Sequence, residues 1–236
     1  HNLFNHLLPA RLGEASLPFL LNRHLKVDLL RGTSALLWFR FLDLHALLSF
    51  ALLAAVFSPG SLPLIDLADL RDGPFGSAFL FLIGAFLLTP LGIFLLMRCF
   101  IYLPAKQRSG WQSVLFRVLS GLPERATDFW LSWIWTGLTW LIKLLTLAWL
   151  LANLLSISWP VALLGVSGGE LTAVLPVHAP GGFGTYAGGI VAALTPLNID
   201  LDATLIAAAN THLVLFSAAL VSGLTGWLLL QQDHKK

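Results

Sequence analysis

Lys143 stands in the apolar run Trp140-Leu141-Ile142-Lys143-Leu144-Leu145. If that run is a membrane helix, the lysine sits about 20 Å from either end at 1.5 Å per residue. An ammonium at that depth costs at least about 2.5 kcal/mol unless it is paired or wetted. It therefore reads as a cavity-facing group that meets an anionic headgroup or an acid, or as half of a structural pair. Arg40 and Asp43, three apart, share a helix face; they can pair with each other or offer a phosphate contact. Arg11 and Glu14 flank Gly13. A half-helix starting there would present free N–H groups and a positive dipole end to an anion. Glu170 follows Gly168-Gly169 and reads either as a carboxyl at membrane depth or as one still in water. His178 and His212 are candidate protonatable partners, although a hydrogen-bonded buried histidine is the commoner outcome for either.

Glycine supplies the second kind of signal. Pro180-Gly181-Gly182-Phe183-Gly184 places three glycines in four positions after a proline, more than packing requires. Gly181, Gly182 and Gly184 should supply positive φ or close backbone approach. The expectation is a turn whose backbone groups line a wet cavity.

These residues need elements to hold them, and composition says what kind. The chain is 57% hydrophobic and 11% charged, against about 25% charged in a soluble domain. So much apolar surface cannot be hidden inside a chain of this length, so lipid must be its solvent. A net charge of +2 is too small to suggest nucleic acid. Cys99 is the single cysteine, which excludes a disulfide framework or a thiolate metal site within one chain.

A hydrocarbon core of about 30 Å needs roughly 20 apolar helical residues. Four runs qualify, at about 34–57, 77–101, 129–155 and 203–230. Pro90 should kink the second without ending it. Between 161 and 197 two apolar pieces, about 161–175 and 185–197, flank the Pro/Gly loop. The second is too short to cross, so a re-entrant broken-helix hairpin fits better than two spans. The fold class is thus an all-α polytopic membrane protein, one transmembrane domain over 1–236. Every Lys and Arg except Arg40, Arg71 and Lys143 falls before the first span, between about 98 and 128, or at the C-terminus. By the positive-inside rule these segments are cytoplasmic. Four spans plus a hairpin satisfy all of them. Trp130, Trp133, Trp149 and Trp159 suit an aromatic belt at the ends of the third span. The 102–128 connection, with Trp111, Leu115, Val118 and Leu122 at helical spacing, reads as an amphipathic surface helix. The chain opens at His1 without methionine or signal pattern, and so reads as a piece whose preceding span and half-helix are missing.

The chain also repeats itself. Pro9-Ala10-Arg11-Leu12-Gly13 matches Pro180 to Gly184 as Pro-x-x-apolar-Gly. Leu25-Lys26-Val27-Asp28-Leu29 then matches Leu197-Asn198-Ile199-Asp200-Leu201. The offset is about 171 in the first match and about 172 in the second, and at the second offset Arg40 falls opposite His212 and His6 opposite His178. The spans that follow run in opposite senses, so the units read as inverted repeats. Broken helices at matching places are the mark of transporter folds with a site at the repeat interface. One polar cavity lined by both breaks, with Lys143 and Arg40 in it, is expected.

Asn5, Pro9 and Gly13-Glu14, then Arg40 and Asp43, then Pro180 to Gly184, resemble the motifs of the lysylphosphatidylglycerol synthetase transmembrane region, a flippase-like family. The resemblance covers nearly the whole chain. It departs where the family usually has a glutamate, here Ala187, and often an arginine, here His212. The sequence includes no soluble transferase segment, so aminoacyl transfer is not carried over. The resemblance implies movement of an anionic phospholipid or lipid-linked headgroup between leaflets, in a bacterial inner membrane with the C-terminus cytoplasmic.

Two other functions compete. A non-catalytic scaffold for a lipid- or glycolipid-synthesis enzyme would not need charge in mid-membrane. A lipid-modifying membrane enzyme would need a metal cluster or a nucleophile with a base. The sequence offers neither; Ser167 beside Gly168 is not a nucleophile elbow. No catalytic residue, metal or cofactor is expected, and membrane lipids are the expected partners.

Overall fold

The computed structural model describes residues 12–56, 67–101, 110, 118–119, 121–174 and 179–233. Those residues form helices: α1 (Leu12–Leu25), α2 (Leu29–Val56), α3 (Leu67–Asp72), α4 (Gly76–Leu87), α5 (Thr89–Ile101), α6 (Ala126–Leu155), α7 (Trp159–Val174), α8 (Thr185–Leu194) and α9 (Leu201–Asp233). Short 3₁₀ turns occupy Pro180–Gly182 and Thr195–Leu197. No strand occurs among the described residues. The all-α reading therefore holds.

Three helices are long and apolar enough to cross a membrane: Leu29–Val56, Ala126–Leu155 and Leu201–Gly226. Their length and mean hydropathy, 1.7 to 1.8, suit a membrane span. The exposed side chains of α6 include Ile134, Trp135 and Ile142, which water would not tolerate as a continuous face. Helices α4 and α5 pass the same test together but are bent by 58°. Proline chemistry explains the break. Pro90 has no N–H to return to the Phe86 carbonyl four residues back. That carbonyl instead accepts from the Thr89 hydroxyl and from His45 Nε2 (3.0 Å). The kink predicted at Pro90 is present, and what replaces the lost bond comes partly from another helix.

The described residues divide into two compact units, one of those between 15 and 143 and the other of those at 12–14 and from 144 onward. In the first, α2 and α6 run parallel: Arg31 meets Glu124, Trp38 meets Ser132 and Asp43 meets Trp140, so contacts climb both helices in step. Helix α5 runs against them, with Arg98 donating to the Glu124 carbonyl and Phe94 stacked on Phe129 at 4.5 Å. Trp38, Leu42, Phe94, Met97 and Phe129 form the core there, with Trp133 packed against them. Trp133 packs partly buried against that core, while Trp130 and Trp149 are exposed. At the far end of α2, Arg71 donates to the Val56 carbonyl at 3.2 Å and to both oxygens of Asp72, which satisfies one of the carbonyls a helix end leaves open. Most of the 102–128 connection lies outside the described residues.

In the second unit α7 and α8 pack antiparallel. The methyl that alanine would bring at Gly168 would lie 2.4 Å from the Gly189 carbonyl oxygen, and one at Gly165 would touch Leu194. Glycine there lets the backbones meet. Helix α7, of 16 residues, is about 24 Å long and α8, of 10, about 15 Å. Neither reaches across a core of about 30 Å.

Candidate functional site

Asp43 links α2 to α6. Its Oδ2 accepts from Arg40 Nη1 at 2.7 Å, and its Oδ1 accepts from Trp140 Nε1 at 2.8 Å. The side chains of Arg40 and Asp43 are 31% and 22% exposed, so the pair is reachable rather than sealed. Lys143 is half-buried, with its ammonium 5.0 Å from the centre of the Trp140 ring, a cation–π distance. Two of the predicted site residues, Asp43 and Lys143, thus meet around one indole, and Arg40 joins them through Asp43. The pairing of Arg40 with Asp43 arises from i,i+3 spacing, and Trp140 fixes it to a second helix. Beside them runs a groove of about 530 Å³, lined in part by Phe39, Asp43, Thr136, Thr139 and Trp140.

The second unit holds a different group. Gly181, Gly182 and Gly184 have φ of 66°, 72° and 79°, a region that L side chains adopt at a cost. The predicted turn therefore stands at Pro180–Gly184, with Gly182 N–H donating to Ala179 O at 2.8 Å. Glu170 is wholly buried, and the Tyr186 hydroxyl donates to its Oε1 at 3.2 Å. The reading that left this carboxyl in water fails. The cause is the close backbone contact of Gly168, two residues before it, with Gly189, which lets α8 close over it. His212 stacks on Tyr186 at 5.1 Å between ring centres and meets Phe183 edge-on at 5.3 Å. It is 6% exposed. Glu170, Tyr186, His212 and the glycine turn therefore make one buried cluster.

The remaining predicted residues are less informative. Gly13 and Glu14 fall in the first turn of α1, where a half-helix was expected to begin. Pro9, Arg11 and His178 lie outside the described residues. Sequence reasoning overlooked Trp140 and Tyr186. Trp140 could have been found as the donor-bearing aromatic one turn before Lys143, and Tyr186 as one of two tyrosines, just after the glycine turn.

No curated protein matches the chain, and no solved structure does. One family does match, described as the lysylphosphatidylglycerol synthase TM region, over residues 1–223. The matched span takes in Pro9, Arg40 and Pro180, and the family's membrane character agrees with the long apolar helices. On that match the chain is an integral membrane protein of the lysylphosphatidylglycerol synthase transmembrane-region family.

Proposed function

We propose that the protein binds a phospholipid or lipid-linked headgroup through its phosphate and moves it between leaflets, as a flippase-like protein. The observation that carries this reading is the Arg40–Asp43–Trp140–Lys143 cluster. Asp43 and Trp140 each lie 14 residues from the start of their helices, about 21 Å along the axis, well inside a core of about 30 Å. Two cations and one carboxylate give the cluster a net positive charge, which suits a phosphodiester. Charge held at such depth is a functional feature by default.

In this reading the end of the first unit that gathers Arg31, Arg98 and Arg125 faces the cytoplasm. The bent pair α4–α5 is the fourth span, α9 returns the C-terminus to the cytoplasm, and α7–α8 is a hairpin that re-enters the membrane. The repeated motifs at Pro9–Gly13 and Pro180–Gly184 belong to the same proposal. A bacterial inner membrane is the setting.

Lys143→Gln tests the site. With the purified full chain in detergent, titrated with phosphatidylglycerol and read by native mass spectrometry, the variant should bind at least about tenfold more weakly at an unchanged Tm. Tenfold corresponds to about 1.4 kcal/mol, the scale of one charge-assisted hydrogen bond. Unchanged lipid binding, or a fall in Tm with unchanged binding in the folded fraction, would make Lys143 structural.

A further inference from the structure

Five polar residues of α6 fall on one line. At about 100° per residue, Asp128, Ser132, Thr136, Thr139 and Lys143 lie within about 80° of each other. On one side of this stripe stand the exposed apolar side chains Leu131, Ile134, Leu138 and Ile142, and on the other the buried Phe129, Trp140 and Leu144. The stripe therefore follows the seam where α6 turns from lipid toward its packed face. Across the seam is α2, which reaches it through Trp38 Nε1 on Ser132 Oγ (3.5 Å) and through Asp43 on Trp140.

Hydroxyls alone would be unremarked. Ser132 and Thr139 donate back to the Phe129 and Trp135 carbonyls, as serine and threonine in membrane helices commonly do. What packing does not require is their register, and the open space beside them. Two adjoining grooves follow the seam. One of about 530 Å³ runs along Asp43, Ser132, Thr136 and Thr139. The other, of about 470 Å³, opens among Arg31, Glu124, Arg125 and Asp128. They share Phe39, Asp128 and Ser132 in their walls. Cations stand beside carboxylates toward both ends, Arg31 and Arg125 with Glu124 and Asp128 in the wall of one groove, and Arg40 paired with the Asp43 that lines the other, near Lys143. From Asp128 to Lys143 the stripe climbs about 22 Å, most of a core of about 30 Å.

We infer that this seam is the route of the headgroup, a wet furrow along which the phosphate of one phospholipid passes from one charged end to the other while its acyl chains stay in lipid. Ser132, Thr136 and Thr139 act as positioning residues. Their hydroxyls offer hydrogen bonds to phosphate oxygens and to water where the helix would otherwise present hydrocarbon. Phe39 and Trp135 bound the furrow toward lipid. The inference rests on the flippase-like reading and adds the path to it.

The full chain with Cys99→Ser gives a cysteine-free background, since Cys99 is the single cysteine. Nitroxide labels on cysteines placed at 132, 136 and 139, and at 134, 138 and 142, report access to a water-soluble nickel chelate and to oxygen in phospholipid vesicles. The furrow predicts that the first three favour the nickel probe and the second three favour oxygen. Six labels that favour oxygen alike overturn it. In proteoliposomes containing a fluorescent phospholipid, Thr136→Val with Thr139→Val keeps shape and removes two hydroxyls, and should slow translocation at least tenfold at an unchanged Tm. A wild type that moves lipid while the valine variant keeps its rate overturns the path alone. A wild type that moves no lipid overturns the function and the path with it.

Discussion

Alanine at Gly188 and alanine at Gly189 should have different consequences, although the two glycines are neighbours in α8. A methyl at Gly188 meets nothing within 4 Å. Its effect is then helix propensity alone, a gain of up to about 1 kcal/mol. A methyl at Gly189 would lie 2.4 Å from the Gly168 carbonyl oxygen and 2.7 Å from Thr172 Cγ2. The first of these is backbone and cannot swing aside, so α7 and α8 must part by roughly 1 Å to restore an ordinary contact. Overpacking of this kind costs about 1–3 kcal/mol. The propensity gain is common to both variants, so the gap between them measures the overpacking itself. It corresponds to roughly a five- to 150-fold difference in the folded-to-unfolded ratio. Reversible unfolding of the full chain in mixed micelles, titrated with SDS, reads it. A Gly189→Ala protein as stable as Gly188→Ala would show that the helices do not meet backbone to backbone, and the buried Glu170 would lose its explanation.

The Glu170 cluster and the Arg71 contact each yield a further test. Tyr186→Phe removes the hydroxyl that donates to Glu170 Oε1 and should cost about 1–3 kcal/mol in the same unfolding assay; combined with Glu170→Gln, the two effects should fall short of their sum by at least about 0.5 kcal/mol. At Asp72 the two hydrogen bonds from Arg71 hold the carboxyl below its ordinary range. A depressed folded-state value means that the stability it brings is present above the unfolded value, about 3.9, and is lost as pH falls through the lower folded one. Arg71→Gln should therefore raise the Asp72 titration midpoint toward that ordinary value, followed by NMR of the side-chain carboxyl, and added salt should do so in part because the carboxyl is exposed.

The sequence made legible whatever is decided locally. Two apolar pieces read at 161–175 and 185–197 became helices Trp159–Val174 and Thr185–Leu194 with a 3₁₀ turn to Leu197, because proline and glycine fix where such pieces stop. The glycine turn was readable for the same reason, as positive φ at Gly181, Gly182 and Gly184 follows from residue type. Arg40 and Asp43 paired as i,i+3 spacing allows. Contacts between distant segments were not readable. Trp140 reaches Asp43 across 97 residues, and nothing near either position announces the other. The burial of Glu170 depends on how closely α8 approaches α7, which needed Gly189 as well as the Gly168-Gly169 that flagged it. Pro90 foretold a kink, but its 58° bend includes a histidine from α2 holding the freed carbonyl.

The central claim is that charge held inside the membrane moves a lipid headgroup. It is tested most directly by reconstituting the purified full chain into unilamellar vesicles with a trace of fluorescent phosphatidylglycerol and bleaching the outer leaflet with dithionite. If the account is right, the fraction of label reached by dithionite rises above the outer-leaflet half in vesicles with the wild type, and Lys143→Gln at equal incorporation returns it toward that half. A bleached fraction that stays near one half in both wild-type and protein-free vesicles would contradict it.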